Sequence, residues 1–152
     1  MSRRIALSVV AGVVVLGGAG AFALAYAGDQ DKSPVLAHST AHYTAPAGGH
    51  GGSLSFTTEV TAASGVQSLK VLAWPEKSEL AGKLPTAKEM AQVDSADCAP
   101  AGGHTARCVY KVAVPAADAA SSPRGAWHVA VLATAVDGRT TLDHKAADFT
   151  VG

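Results

Sequence analysis

Hydrophobic and polar side chains alternate along several short segments of the chain. In residues 53–61, Leu54, Phe56 and Val60 alternate with serine, threonine and glutamate, and residues 104–114 alternate in the same way. This period of two is typical of β-strands with one buried face. Weaker patterns, or apolar runs of strand length, cover residues 36–44, 66–74, 125–136, 139–144 and 147–151. The chain therefore predicts about seven strands.

The segments between these strands predict turns and two short helices. Asp137-Gly138 lies between two strand patterns and is a strong hairpin signal. Thr86 and Glu89 have the spacing of a capping box at a helix start, and residues 115–122 form a second short helical pattern. Neither helix exceeds about two turns, so both are expected to be crossovers between strands.

This arrangement predicts an all-β fold, an immunoglobulin-like antiparallel β-sandwich with one or two short helical crossovers. A true immunoglobulin domain is not expected. Its two cysteines bridge the sheets from distant strands, whereas Cys98 and Cys108 are close in sequence.

The N-terminus predicts export. Two arginines precede an apolar run over residues 5–25, and Ala25 and Ala27 flank Tyr26 as in a cleavage site. Residues 1–27 are therefore interpreted as a signal peptide, although an uncleaved membrane anchor is the alternative. Residues 28–35 would be a flexible lead-in, and residues 36–152 a single β-sandwich domain.

The charge of the chain argues against two classes of partner. The full chain has 12 basic and 12 acidic residues, and removal of the signal peptide would make it weakly negative. Such a chain has no strong field to attract nucleic acid or an anionic membrane. Neither is expected as a partner after signal cleavage.

Cys98 and Cys108 are the only two cysteines of the chain. In an exported protein an even number of cysteines predicts a disulfide. A zinc site would need more ligands than these two and His104, and the spacing is unlike the Cys-x-x-Cys of redox proteins. We therefore expect a disulfide that staples a turn.

Six segments resemble a known family: the N-terminal VVVLGGAGAFALA, then YTAPAGG, GVQSLKVLAWP, ARCVYKVAV, GAWHVAVLATAVDGRTT and the closing FTVG. They are similar to a family of small secreted actinobacterial proteins, domain of unknown function 5707. The resemblance covers nearly the whole chain and implies export and a β-sandwich. It implies no activity, and it carries no functional residues over to this chain.

A second resemblance concerns the segment CAPAGGH. It is similar to the first disulfide loop of the secreted subtilisin-inhibitor family. That family needs a second disulfide to present its reactive segment, and this chain has two cysteines in all. Protease inhibition is therefore a minor alternative.

The histidines are the best candidates for chemistry: His38, His42, His50, His104, His128 and His144. His38 and His42 would share one face of a strand, but we interpret them as solvent-facing residues, not as metal ligands. No Gly-x-Ser-x-Gly motif occurs. We expect no catalytic residues, no metal site and no cofactor.

One surface patch is predicted from strand parity. Lys70 is expected to face solvent, and Leu72 and Trp74 lie on the same side of their strand as Lys70. Leu132 lies on the outer side of residues 125–136. If the two strands are neighbours, these side chains form an apolar patch. The patch would either be covered by the helix after Thr86, through Met90 and Val93, or bind a partner.

Together these observations predict a secreted, non-enzymatic binding or structural module. Its expected partner is an unidentified protein or a component of the cell envelope. The alternatives are a secreted metal-binding protein, a hydrolase or a protease inhibitor.

Overall fold

A computed structural model of the chain describes residues 33–152. Within this range the strands are β1 (Val35–Thr44), β2 (Gly52–Thr61), β3 (Val66–Pro75), β4 (Asp97–Pro100), β5 (Thr105–Val114), β6 (Gly125–Ala135) and β7 (Thr140–Val151). A 3-10 turn, Glu79–Ala81, and helix α1, Ala87–Met90, lie between β3 and β4. Helix α2, Ala116–Ser121, lies between β5 and β6. The predicted signal peptide and residues 28–32 of the predicted lead-in lie outside the described residues.

The strands form two antiparallel sheets, with orders β1-β2-β5-β4 and β3-β6-β7. This is the strand order of constant-type immunoglobulin domains. The predicted all-β sandwich is therefore confirmed, and so are both helical crossovers. The capping box of Thr86 and Glu89 forms at the start of α1, as predicted.

The predicted strands differ from the observed ones at two places. Residues 139–144 and 147–151 were expected to be separate strands, but both belong to β7, which is interrupted by a register shift. Strand β4 was not predicted. Its four residues are all exposed and have no alternating pattern, so only its pairing with β5 makes it a strand.

The main core fills the space between the two sheets. The alternation predicted for residues 53–61 is confirmed, because Leu54, Phe56, Thr58 and Val60 are all buried while their neighbours are half-buried. The facing sheet contributes alternate, inward-facing apolar side chains of β3 and β6: Leu69, Val71, Val129, Val131 and Ala133. Cys108 and Ala106 of β5 complete this core.

A bulge in β1 supplies the hydrogen bonds of the buried Thr58 hydroxyl. The register of β1 against β2 shifts between Ala37 and Thr40, and His38 has a positive φ of 56°. The irregular backbone brings the Ser39 hydroxyl within 2.7 Å of Thr58 Oγ1, which also donates to the Ala37 carbonyl at 3.2 Å. A buried hydroxyl without such partners would destabilise the core.

The chain closes one side of the sandwich just before β4. The Ala96 amide donates to the Leu69 carbonyl, and the Val71 amide donates to the Asp94 carbonyl. Residues 94–96 therefore pair with the edge of β3 in one sheet. The following residues, Asp97–Pro100, pair with β5 in the other sheet.

Candidate functional site

The predicted patch of Leu72, Trp74 and Leu132 is covered in the structure. Strands β3 and β6 are neighbours, as the prediction required. Trp74 is only 1% exposed and Leu132 only 5%, because they pack in a second apolar cluster with Met90 of α1. Leu72 and Val93 are half-buried against this cluster. Helix α1 covers the patch, which is the first of the two alternatives that the sequence left open.

Trp74 spans the outer face of the β3-β6-β7 sheet. Its indole Nε1 donates to the His144 carbonyl of β7 at 3.0 Å, and the ring must cross β6 to reach it. The crossing is possible because Ala130 is a small residue at the same cluster. His144 in turn contacts the Pro85 carbonyl through Nε2 at 2.7 Å. The sheet and the segment that covers it are therefore tied together through one tryptophan and one histidine.

His128 is a buried ionisable side chain on this face of the sheet. The sequence analysis did not single it out from the other histidines. Its side chain is 9% exposed, and its ring lies 4.8 Å from that of Trp74. Nδ1 lies 2.6 Å from Asp148 Oδ1, whereas Nε2 lies 3.8 Å from Glu76 Oε1 and has no hydrogen-bond partner. The only sequence signal was a histidine within the apolar run WHVAVLATA.

The His128–Asp148 pair has the orientation of a general base and its carboxylate partner. A nucleophile would have to hydrogen-bond Nε2, and no side chain of residues 33–152 does so. The Asp148 carboxylate holds Nδ1 at 2.6 Å, and the imidazole ring lies against the ring of Trp74.

The two histidines considered as metal ligands lie on the outer side of β1. His38 Nδ1 is 3.0 Å from Glu59 Oε1, and His42 is exposed opposite Ser55. Among residues 33–152, no three histidine, cysteine, aspartate or glutamate side chains are grouped so that they could hold a metal ion.

Cys98 and Cys108 form a disulfide, as predicted. They lie directly opposite each other on β4 and β5, with Cα atoms 4.0 Å apart. The bridge therefore joins two strands of one sheet, unlike the inter-sheet bridge of antibody domains. It attaches the short, pattern-free β4 to the rest of the fold.

The outer face of the β1-β2-β5 sheet carries a regular set of hydroxyl side chains. Three rows cross it: Thr40, Thr57 and Val109; His42, Ser55 and Lys111; Thr44, Ser53 and Ala113. We call the five hydroxyl residues of these rows, Thr40, Thr44, Ser53, Ser55 and Thr57, the hydroxyl array. Neighbouring strands are about 4.8 Å apart and successive rows about 6.6 Å. All nine side chains of the rows are exposed or half-buried.

Comparison with known protein families gives one match. The model of a family of unknown function (DUF5707) matches residues 36–133. The chain is a member of the DUF5707 family. The matched part holds the disulfide, the covered cluster of Trp74 and Leu132, and the complete hydroxyl array, whereas β7 lies beyond it. Comparison with curated proteins and with solved structures finds no match.

The charges on the open face of the DUF5707 sandwich are mostly balanced. Glu59 lies between Arg107, at 3.4 Å, and His38, at 3.0 Å, beyond the end of the hydroxyl array. Lys111 is the single lysine or arginine within the three rows. A nearly neutral surface, made mostly of small polar side chains, therefore faces solvent.

Two concave sites among residues 33–152 are open grooves. One open groove of about 270 Å³ lies between residues 94–97 and residues 109–112, and another of about 330 Å³ lies beside the glycine-rich loop 46–51. Neither is an enclosed pocket. No helix among residues 33–152 is long and apolar enough to cross a membrane.

The phenol of Tyr110 on β5 has a raised pKa. Burial raises the pKa of its phenol above the usual 10.0, and the hydrogen bond to Asp94 and the negative charge of Asp94 raise it further. The hydroxyl donates to Asp94 Oδ2 at 3.1 Å. Tyr110 thereby links β5 to the segment that crosses between the two sheets.

We expect the folded protein to lose stability in alkali through Tyr110. The raised pKa means that the unfolded chain releases this proton first, so the contribution is complete below pH 10 and is lost as pH rises through the folded-state pKa. Phenolate absorbance of wild type minus that of Tyr110→Phe gives the titration of this one residue.

An Asp94→Asn variant should lower the pKa of Tyr110 only in part. The substitution removes the carboxylate charge, whereas desolvation, the largest cause of the shift, remains. A Tyr110 titration in wild type at the ordinary tyrosine pKa would contradict the prediction.

Proposed function

We propose that this DUF5707 protein is an exported, non-enzymatic binding module that attaches to a neutral polysaccharide of the cell envelope through the hydroxyl array. The observation that carries the proposal is the difference between the two sheets. The outer face of β3-β6-β7 is covered by α1 and its flanking loops. The outer face of β1-β2-β5 is bare and presents hydroxyls in three aligned rows.

Export is supported by two independent features. The chain begins with arginines, an apolar run and a small-residue site that fit a signal peptide. The Cys98–Cys108 disulfide fits an oxidising compartment, because cytosolic reductants keep most thiols reduced. The alternative, an uncleaved anchor, would hold the same domain at the outer side of the membrane.

A neutral polysaccharide is the ligand class that fits the chemistry of the array. Each serine or threonine hydroxyl can both donate and accept a hydrogen bond, as sugar hydroxyls do. Small side chains on a regular sheet leave the surface flat, which suits an extended polymer more than a small molecule in a pocket. Each contact is weak, but a polymer offers many repeats, so binding to an insoluble chain gains from avidity.

The absence of catalysis is supported by the state of the His128–Asp148 pair. Among residues 33–152, no hydroxyl or thiol contacts Nε2 of His128. A binding role needs no such contact. The near-zero net charge of the chain also favours an uncharged ligand over an anionic one.

The test is co-sedimentation of the secreted protein with insoluble polysaccharides. Cellulose, chitin and purified cell-wall sacculi are the probes, and we expect at least one to deplete the protein from solution. A Ser55→Glu variant should lose this binding, because it places a solvated charge at the centre of the array. The matched control is Thr150→Glu, at an exposed position on β7.

The melting temperatures of both variants should stay close to that of wild type, because both positions face solvent. Loss of binding in both variants, or binding by Ser55→Glu equal to wild type, would exclude the hydroxyl array as the site. Failure of all three polysaccharides to bind wild type would contradict the ligand class.

A further inference from the structure

Part of the edge of β5 lies open beside β4. Strand β4 pairs with β5 only from Ala106 to Val109, whereas β5 continues to Val114. The residues that would have extended β4 along this edge, 94–96, pair with β3 of the other sheet instead. The position of a neighbouring strand beside residues 110–114 is therefore not filled by any described strand. We call this strand position the empty row.

The backbone of this stretch directs hydrogen-bonding groups into the empty row. The Thr105 carbonyl accepts from Ala101 on the β4 side, and the His104 carbonyl accepts from Ala62 on the β2 side. Backbone groups alternate between the two sides along an extended strand. The amides and carbonyls of Lys111 and Ala113 therefore face the empty row, and neither residue has a β-partner there among residues 33–152.

The open groove of about 270 Å³ lies at this row. Asp94 and Asp97 line it on one side, and β5 residues 109–112 line it on the other. Val112, on the inward face of β5, is 37% exposed, which is unusual for a core-facing valine of a sandwich. The groove thus combines unpaired backbone groups, an uncovered apolar side chain and two carboxylates.

We propose that this edge binds an extended segment of a partner protein, which adds as a strand antiparallel to β5 in line with β4. Backbone bonds to Lys111 and Ala113 supply the affinity, and alternate side chains supply the specificity. In the partner segment, we expect a β-branched side chain over Val112. The partner residue two positions further on, which faces Tyr110 and Asp94, is expected to be basic. The charge preference follows from the two aspartates, Asp94 and Asp97, which line the groove.

Open edges of this kind are usually blocked by charge, proline or a covering loop, because they promote pairing with other chains. Here the residues that could have blocked the edge are used to close β3. The inference is independent of the polysaccharide proposal, because it concerns the edge of the sheet and not its outer face.

The test uses a fluorescein-labelled, C-terminally amidated Gly-Thr-Val-Thr-Lys peptide, which ends before the position that Asp97 occupies opposite Val109. A matched peptide has glutamate in place of lysine. Fluorescence anisotropy should show saturable binding of the lysine peptide to the disulfide-bonded protein and weaker binding of the glutamate peptide. An Ala113→Pro variant should bind the lysine peptide roughly tenfold more weakly, because proline removes the donating amide. Ala113→Thr, which keeps the amide, is the matched control and should bind as wild type does.

Amide hydrogen exchange of the unaltered protein gives a second readout that does not depend on how the proline variant folds. Addition of the lysine peptide should slow exchange at Lys111 and Ala113 and leave the exposed amides of β7 unchanged. No saturable binding, equal binding by Ala113→Pro, or no protection of these two amides would overturn the proposal. Protection that rises with protein concentration without peptide would also overturn it, because a second copy would then occupy the edge.

Discussion

We expect a Trp74→Ala variant to lose about 3–5 kcal/mol of its free energy of unfolding. Trp74 is buried at 1% exposure, and it is the largest side chain of the cluster that joins the covering segment to the β3-β6-β7 sheet. The substitution leaves a cavity over Ala130 and removes the donor to the His144 carbonyl. Urea denaturation followed by far-ultraviolet circular dichroism measures the loss.

A Trp127→Phe variant is the matched control, because Trp127 is half-buried and stacks on Phe149 on the opposite face of the sheet from Trp74. It should lose less than half as much stability. In this variant Trp74 is the remaining tryptophan of the chain, and its fluorescence should be protected from iodide. Strong quenching, or a loss below about 1 kcal/mol in Trp74→Ala, would mean that the covering segment is open in solution.

The second large effect is expected from removal of the disulfide. A Cys98→Ala, Cys108→Ala double variant should lose about 2–3 kcal/mol, because the closed loop between the two cysteines restricts the unfolded chain. Cys108 is also fully buried in the main core, so alanine at this position removes packing contacts. Chemical denaturation of the oxidised protein and of the double variant gives the difference.

The effect of the disulfide should be concentrated at β4. The four residues of β4 are all exposed, so the bridge and the pairing with β5 are what hold them. Amide exchange in the double variant should be faster in β4 than in β2, the neighbour of β5 on its other side. Alkylation of wild type under denaturing, non-reducing conditions should label neither cysteine. Equal stability of the two proteins, or two free thiols in wild type, would contradict the assignment.

The two sheets differ in whether their outer faces are covered. Both carry apolar residues inward, but the β3-β6-β7 sheet also carries a cluster of large apolar residues outward, and there the chain folds back to cover them. In the three outward rows of the β1-β2-β5 sheet, Val109 is the single large apolar residue. The β1-β2-β5 sheet carries hydroxyls outward and needs no cover. The apolar patch predicted from the sequence is thus part of a second core. The open surface is the hydroxyl array, which the sequence analysis did not identify.

Local signals in the sequence determined most of the strands and the connections that are short in sequence. The alternation around Phe56 marks a buried face because successive side chains of a strand point to opposite sides. Asp137-Gly138 joins β6 and β7 as a hairpin because these residues adopt the turn conformations that it needs, and Gly138 has a φ of 94°. The capping box of Thr86 and Glu89 is likewise a contact between near neighbours.

Only the tertiary structure decided which segments meet. Strand β4 has no pattern of its own and exists because Cys98 lies opposite Cys108. Strand β7 continues through a bulge that brings the His144 carbonyl to Trp74, so two sequence patterns become one strand. Parity placed Leu72, Trp74 and Leu132 outside the main core, but whether α1 returns over them depends on contacts between residues far apart in sequence. The hydroxyl array and the open edge of β5 arise in the same way, because alternation fixes the face of a side chain and pairing alone fixes its neighbours.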